Sequence, residues 1–205
     1  TGYANSAATE YLTNKGVKVD KVPTGVKHLH HKALEYDIGV YFEANGHGTV
    51  ITKYDKINSA LNDNGFDIKD KNVNKFLKFL LLTNEAVGDA MATLLMMEAF
   101  MKDSNMSIQS AKDIYQDLPN RMLKSKVKDR TMFVTHEKDE TLLLKPEGLQ
   151  STIESTFKDS PSCRAFVRPS GTEDVVRIYA EAPTQGKADE IANQIVKIIE
   201  KDYSA

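Results

Sequence analysis

The chain has 205 residues, of which 40% are apolar and 27% are charged, and its formal net charge is -2. These values are typical of a soluble globular protein long enough for two domains, and they argue against a disordered or fibrous chain. A general nucleic-acid-binding protein would carry an excess of Lys and Arg that neutralises phosphates, so we expect no nucleic-acid partner.

The single cysteine, Cys163, cannot form an internal disulfide, so we expect a reducing, cytoplasmic setting. The chain does not begin with Met and carries no readable targeting signal, which is consistent with a piece of a longer protein. The most apolar stretch, 86–101, is interrupted by Asp89 and Glu98 and is shorter than the ~20 residues of a membrane span. We expect this stretch to be a buried core helix and expect no membrane partner.

Apolar residues at helical or strand spacing predict the elements of the first half of the chain. We expect a short helix at 9–12, a brief strand at 17–19 and an amphipathic helix at 26–36. A strand at 37–43 should follow, and then two longer helices, one that begins near 73 and one that begins at 86. The run 37–43 is apolar without alternation, which is typical of a strand covered on both faces. The helices should sandwich its sheet in an α/β layer, and a short helix capped by Ser107 should follow and end at Pro119.

After Pro119 the order of elements changes to strand, helix, strand, strand and helix, which predicts a smaller α+β module with an antiparallel sheet and two helices. These elements are 131–136, a helix with Pro146 in its first turn, 165–168, 175–182 and a helix over 187–203 that starts near Thr184. In 175–182 apolar residues alternate with Arg177, Tyr179 and Glu181, so we expect one buried face and one open face. The predicted domains are 1–118 and 119–205.

The connection between the last two strands is bracketed by two arginines, and the chain reads Arg168-Pro-Ser-Gly-Thr-Glu-Asp-Val-Val-Arg177. Ser170 followed by Glu173 ordinarily indicates the capping box of a helix, but the strand-like run that follows makes this segment a hairpin connection. Each arginine alone would be interpreted as a solvated surface charge. Two guanidiniums beside a polar turn are instead a donor set suited to a phosphate dianion, and we favour this interpretation.

The turn itself should contribute donors to the same site. Gly171 permits a positive φ at which successive N–H groups converge, and Ser170 and Thr172 add hydroxyl groups. The candidate phosphate-binding residues are Arg168, Pro169, Ser170, Gly171, Thr172 and Arg177.

A second polar cluster, Glu43-Ala44-Asn45-Gly46-His47, follows the predicted strand 37–43. In α/β sheets ligands bind beyond the carboxyl ends of the strands, so a carboxylate and an amide there could contact a polyhydroxylated substrate. His47 could act as a general acid or base. The alternative is that Asn45-Gly46 is only a turn and His47 a solvated loop residue.

A metal site is not indicated by the sequence. His28 and His31 share one face of a predicted helix, but no third ligand follows at a recognisable spacing.

The two polar clusters, in this order and about 125 residues apart, resemble those of the phosphohexomutases. The sequence as a whole resembles the phosphoacetylglucosamine mutase branch of that family. The resemblance runs along the whole chain, and its most specific segments are 24–33, 37–49 and 166–182. It implies most of the third domain and all of the fourth domain of a four-domain enzyme. The expected fold is an α/β domain, with a mixed sheet sandwiched by helices and incomplete at its N-terminus, followed by the α+β module.

The resemblance also implies roles for the two clusters. The family loop that matches Glu43, Ala44 and Asn45 orients the sugar, and His47 matches a histidine proposed in proton transfer. The family loop that matches Arg168 to Thr172, together with Arg177, holds the phosphate that is not being transferred. The implied reaction moves phosphate between the 6- and 1-positions of N-acetylglucosamine phosphate, for UDP-N-acetylglucosamine synthesis, by way of an enzyme phosphoserine.

The phosphoserine loop and the Asp-rich magnesium loop of that family have no counterpart in these 205 residues. We therefore expect Mg²⁺ and the missing N-terminal domains to belong to the parent protein, and this chain alone to be inactive. The alternative is a non-catalytic phosphosugar-binding module. An RNA-binding α+β domain is disfavoured by the absence of Trp and of interleaved aromatic and basic residues.

Overall fold

The computed structural model describes residues 1–43, 46–86, 88–160 and 162–204. The fold class is the predicted one, helices mixed with antiparallel sheets. The helices are α1 (Ser6–Asn14), α2 (Val26–Ala33), α3 (Tyr54–Asp63), α4 (Lys71–Leu80), α5 (Ala90–Ser104), α6 (Ile108–Lys112), α7 (Leu149–Ser155) and α8 (Gln185–Tyr203). The strands are β1 (Ile38–Phe42), β2 (Gly48–Thr52), β3 (Asn120–Lys126), β4 (Val134–Thr135), β5 (Leu143–Lys145), β6 (Arg164–Pro169) and β7 (Val175–Glu181).

The chain forms two compact units. The first comprises Thr24–Ile114 with the terminal Thr1, and the second comprises Gly2–Pro23 with Tyr115–Ala205. This division differs from the predicted domains, 1–118 and 119–205, because residues 2–23 pack with the C-terminal part of the chain. The predicted domain boundary itself stays a prediction.

In the first unit, β1 and β2 form an antiparallel hairpin on which α2 packs. Only one face of β1 is covered, since Tyr41 is 7% exposed whereas Val40 on the opposite face is 60% exposed. The prediction of a strand covered on both faces is therefore wrong. An apolar run without alternation shows that both faces are apolar, but the described strands of this unit form only a pair, and α2 covers one side of it.

Helix α5 departs from its prediction in the same way. It begins at Ala90, capped by the side chain of Asp89, and no described residue of it is buried. Leu94 and Leu95 are 62% and 68% exposed, so the prediction of a buried core helix is wrong for this unit. The start of the short helix after it is confirmed, because the Ser107 hydroxyl accepts a hydrogen bond from the amide of Ser110 and α6 follows. Its predicted end at Pro119 is wrong, since α6 ends at Lys112.

The second unit is built on a three-stranded antiparallel sheet in the order β3, β7, β6. Helix α8 packs on one face of this sheet and begins at its predicted cap, Thr184. The core under the helix includes the fully buried Ile153, Val167, Ile178, Ile191 and Ile195. Burial of such aliphatic side chains is the main stabilising contribution to this unit.

Three local predictions in the second unit need correction. The brief strand at 17–19 is irregular chain, and the predicted strand 131–136 is reduced to β4 after a 3-10 turn at Arg130–Met132. Helix α7 begins at Leu149, after Pro146. Strand β3 was not predicted at all, because its sequence, NRMLKSK, is polar and charged as is common on edge strands, with little apolar pattern to reveal it.

The second face of the sheet is covered by the start of the chain. The ring of Tyr3 lies 5.2 Å from that of Phe166 and 5.9 Å from that of Tyr179, centroid to centroid. Tyr179 is 2% exposed and Glu181 is 1% exposed. The predicted open face of β7 is therefore wrong at these two residues and correct at Arg177, which is exposed.

Candidate functional site

The two arginines of the predicted phosphate site are direct partners across the hairpin of β6 and β7. Directly paired residues of an antiparallel sheet point to the same face, so both side chains project from one side. Lys124 of β3 is the partner of Arg177 on its other edge, which makes a row of three cationic residues across the sheet. Like charges directly opposite one another are destabilising, and a bound anion would relieve this repulsion.

Arg168 is held from two sides. Its Nε lies 3.3 Å from Oε2 of Glu140, and its guanidinium carbon lies 5.8 Å from the centroid of the Tyr3 ring. The side chain of Arg168 is 21% exposed, whereas Arg177 is exposed. A partly buried guanidinium with a fixed orientation is suited to bidentate recognition of a phosphate.

The turn between the arginines is organised by Ser170, which is 6% exposed. Its amide donates a 2.9 Å hydrogen bond to the carbonyl of Val175, and its hydroxyl accepts 3.4 Å bonds from the amides of Thr172 and Glu173. Two consecutive N–H groups therefore converge on the Ser170 hydroxyl, which closes the turn. The capping-type bond from Glu173 is present although no helix follows.

Gly171 does not have the predicted conformation. Positive φ is found at Gly16, Gly25, Gly46, Gly65 and Gly148, and Gly171 is not in this group of described glycines. A Cβ at Gly171 would meet no heavy atom within 4 Å. The turn is therefore closed by the Ser170 hydrogen bonds rather than by a left-handed glycine.

A second ion pair lies on the same face as the two arginines, nearer the other end of β6 and β7. Oε2 of Glu181 accepts hydrogen bonds from the Tyr179 hydroxyl, the Ser6 amide and Nη2 of Arg164, at 2.8, 3.1 and 3.2 Å. Burial raises the pKa of the Glu181 carboxyl, but the hydrogen bonds from Ser6 and Tyr179 and the nearby guanidinium lower it by more, to below its ordinary value. Arg164 also donates to the Gly2 carbonyl at 2.9 Å.

The candidate sugar cluster is the turn of the hairpin formed by β1 and β2. The amide of Glu43 donates to the carbonyl of His47 at 2.8 Å, and the amide of Gly46, at φ +86°, donates to the carbonyl of Glu43 at 2.9 Å. The cluster follows the carboxyl end of β1, as predicted, and leads into the adjacent antiparallel strand β2. Ala44 and Asn45 lie outside the described residues.

Among the described residues, no group of three His, Cys, Asp or Glu side chains is placed to hold a metal ion. Likewise, none of the helices in the described part of the chain is long and apolar enough to cross a bilayer.

Comparison with protein families gives two consecutive matches. Residues 1–106 match the model of phosphoacetylglucosamine mutase AMG1, domain III, and residues 122–198 match that of the phosphoglucomutase/phosphomannomutase C-terminal domain. The chain belongs to the phosphoacetylglucosamine mutase family. The family resemblance that the sequence predicts is confirmed.

Individual relatives agree with this assignment. The phosphoacetylglucosamine mutase of Arabidopsis thaliana is 44% identical over 97% of this chain, and that of Sus scrofa is 46% identical over 95%. The chain covers 37% and 36% of the length of these two relatives. It therefore spans little more than a third of the mutases that it matches.

Solved mutase structures contain the same fold. Aspergillus fumigatus N-acetylphosphoglucosamine mutase, crystallised with GlcNAc-6P and magnesium, superposes with a TM-score of 0.89 at 36% identity and covers 97% of this chain and 37% of its own. An N-acetylglucosamine-phosphate mutase in its substrate complex gives 0.87 at 40% identity, over 96% of this chain and 37% of its own. The roles of individual side chains in the present chain stay predictions.

Several residues around the two arginines were not predicted from the sequence. They are Tyr3, Lys124, Glu140 and Arg164. Lys124 would have been found if β3 had been recognised, because the register then pairs it with Arg177. Arg164 lies on the same strand as Arg168, and its position on the same face follows from strand alternation. Tyr3 and Glu140 are far from the turn in sequence, and no local pattern connects them with it.

Proposed function

We propose that this chain is the substrate-binding half of a phosphosugar mutase that interconverts N-acetylglucosamine 6-phosphate and N-acetylglucosamine 1-phosphate. The observation that carries the proposal is the direct pairing of Arg168 and Arg177 on one sheet face, in a chain of the phosphoacetylglucosamine mutase family. In this proposal the turn between β6 and β7 holds the phosphate that is not transferred. Glu43 and Asn45, which lie between β1 and β2 in the sequence, orient the sugar.

The chemistry of the turn supports phosphate as the ligand. A phosphate dianion accepts several hydrogen bonds, and charge-assisted bonds from guanidinium groups are among the strongest in proteins. Arg168 and Arg177 supply two planar donor groups on one sheet face, beside the turn that the Ser170 hydroxyl closes by accepting bonds from the amides of Thr172 and Glu173. A bound phosphate would also neutralise the repulsion among the three adjacent cationic residues Lys124, Arg177 and Arg168.

Two separate binding loops suit a reaction in which the substrate binds in two orientations. The phosphate group is common to the 6-phosphate, the 1-phosphate and a bisphosphate intermediate, so one clamp serves all three species. Hydroxyl contacts from Glu43 and Asn45 are then made again in each orientation, with His47 as the candidate general acid or base.

Among the described residues, no group of side chains fits a magnesium site. A relative was crystallised with magnesium, and we propose that Mg²⁺ and the phosphoserine come from the rest of the parent polypeptide in a cytoplasmic enzyme. The chain alone should then bind phosphosugar without turnover. A non-catalytic phosphosugar-binding protein is the second candidate, since the chain spans little more than a third of its catalytic relatives.

The test is isothermal titration of the chain with N-acetylglucosamine 6-phosphate, glucose 6-phosphate and unphosphorylated N-acetylglucosamine. We expect binding of the first sugar, weaker binding of the second and none of the third. Equal binding of phosphorylated and unphosphorylated sugar would overturn the proposal. Restoration of mutase activity by a polypeptide that supplies the missing domains would decide for the enzyme over the binding protein.

A further inference from the structure

Glu140 is a buried carboxylate beside the proposed phosphate site, although it lies 28 residues before Arg168 in the sequence. It is 5% exposed. Its Oε2 lies 3.3 Å from Nε of Arg168, and its Oε1 accepts a 2.9 Å hydrogen bond from the amide of Gly2. A buried carboxylate destabilises a fold unless it is paired and hydrogen-bonded, and here each oxygen has such a contact.

The atom of Arg168 that Glu140 contacts matters for phosphate binding. A guanidinium has five N–H donors in a fixed plane, and only one of them is on Nε. An acceptor at Nε orients the plane while the two terminal nitrogens can face a phosphate. The ring of Tyr3 lies near the same guanidinium and belongs to the same N-terminal segment as Gly2.

A second carboxylate, Glu181 of β7, has a matching arrangement, whereas Glu140 itself lies in the turn between β4 and β5. Glu181 accepts a hydrogen bond from the amide of Ser6 and pairs with Arg164, just as Glu140 accepts one from Gly2 and pairs with Arg168. Each carboxylate therefore connects the backbone of residues 2–6 to one arginine of β6. Of these two carboxylates, only Glu140 contacts an arginine of the proposed phosphate site.

We infer that Glu140 is a positioning residue of the phosphate site. It fixes the guanidinium plane of Arg168 and couples that arginine to the docking of residues 2–6 on the sheet. Phosphate binding and docking of this segment then stabilise each other, because a coupling free energy acts in both directions. The inference rests on the proposed function, since it presupposes that Arg168 binds phosphate.

A purely electrostatic role for Glu140 predicts the opposite change in phosphate affinity. If Glu140 were only a negative charge near the site, Glu140→Gln would strengthen anion binding by removing repulsion. If Glu140 positions Arg168, the same variant weakens binding despite the lost negative charge. Glu140→Asp separates the two further, because it keeps the charge but is one methylene too short to hold Gly2 and Arg168 together.

The experiment is a titration of the 205-residue chain with inorganic phosphate and with N-acetylglucosamine 6-phosphate, followed by NMR. We expect Glu140→Gln and Glu140→Asp each to weaken binding about tenfold, or about 1.4 kcal/mol. Asp189→Asn, which removes a carboxylate that pairs with Arg121 on the opposite face of the sheet, should leave the affinity within about twofold. Unchanged or tighter binding by Glu140→Gln overturns the inference.

A measurement on the unaltered chain makes the test independent of whether the variants fold. Saturating inorganic phosphate should slow hydrogen exchange of the Gly2 amide at least severalfold, and exchange that is unchanged overturns the inference. Arg177→Ala in the same titration tests the proposed function. If Arg177→Ala leaves phosphate binding intact, the phosphate site is refuted, whereas weakening by Arg177→Ala without weakening by Glu140→Gln refutes only the role of Glu140.

Discussion

The hydroxyl of Tyr179 donates a 2.8 Å hydrogen bond to Glu181, two residues further along the same strand. Alternate residues of a strand share a face, so both groups lie under the segment that begins the chain. Burial and the bond to this carboxylate raise the pKa of the Tyr179 hydroxyl. The pair thus anchors residues 2–6 to a sheet more than 170 residues away in sequence, as the bond from the Ser6 amide shows.

Glu181→Gln should destabilise the second unit. The side chain of Glu181 is 1% exposed and that of its partner Arg164 is 23% exposed, and loss of one partner of a buried pair costs about 3 kcal/mol. Urea unfolding of the chain with and without the substitution measures this cost. Asp189→Asn, which breaks the more exposed ion pair with Arg121, is the control and should cost less than about 1 kcal/mol. Equal losses in the two variants would show that burial of the Glu181 pair contributes nothing.

The stability of the chain should depend on the protonation of the same carboxyl. The folded-state pKa of Glu181 is lowered, so its stabilising contribution is complete above the unfolded value, about 4.3, and is lost as pH falls through the folded value. The Glu181→Gln variant has no carboxyl at this position, so it lacks this pH-dependent contribution at every pH. Urea unfolding at a series of pH values should therefore show the two proteins converging below about pH 4. A stability difference that stays constant on acidification would contradict the lowered pKa.

Arg177→Ala should weaken phosphosugar binding without unfolding the chain. Arg177 is exposed, so its removal leaves no cavity, whereas loss of a charge-assisted hydrogen bond to phosphate costs about 1.5 to 3 kcal/mol. Titration with N-acetylglucosamine 6-phosphate measures the loss. Arg121→Ala is the matched control, because Arg121 is an exposed arginine on the opposite face of the same sheet and pairs with Asp189. Equal weakening by both substitutions would indicate a general charge effect rather than a clamp.

Gly2→Ala should loosen the docking of the N-terminal segment. A Cβ at this position would lie 3.0 Å from Thr141, 3.1 Å from Oε1 of Glu140 and 3.2 Å from the ring of Phe166. These contacts are tighter than ordinary van der Waals distances, so the backbone has to shift. Faster hydrogen exchange at the Ser6 amide is the expected result, and unchanged exchange would show that the segment tolerates the methyl group.

Gly171→Ala is the control for that substitution. A methyl group there meets no heavy atom within 4 Å, so the unfolding free energy should change by less than about 0.5 kcal/mol. A loss of stability as large as that of Gly2→Ala would mean that steric crowding is not the cause in either variant.

Glu43→Gln should weaken sugar binding and spare phosphate binding, because Glu43 lies in the turn of the other hairpin. We expect about a tenfold loss of affinity for N-acetylglucosamine 6-phosphate, as for a lost hydrogen bond to a charged group. Parallel titrations with the sugar phosphate and with inorganic phosphate make the comparison, with Glu35→Gln as an exposed control in the same unit. If Glu43→Gln lost affinity for inorganic phosphate, the loop that contains Glu43 would be the phosphate-binding loop, which contradicts the proposal.

The sequence by itself determined the features that depend on neighbouring residues. The hairpin around Ser170, the cap of α8 at Thr184 and the helix after Ser107 follow from local patterns, and each is present. The family was likewise readable from three short segments, because the candidate site residues are clustered in the chain.

Tertiary structure alone decided which surfaces are covered. Tyr3 and Ser6 bury the polar face of β7, which reads as an open face in any local pattern. Continuous apolar runs predicted burial of both faces of β1 and of α5, and the structure leaves much of this apolar surface exposed. Burial and the pairing of Arg168 with Glu140 depend on contacts between residues far apart in sequence. Such contacts cannot be predicted from the local spacing of residues, because they form only when the chain folds.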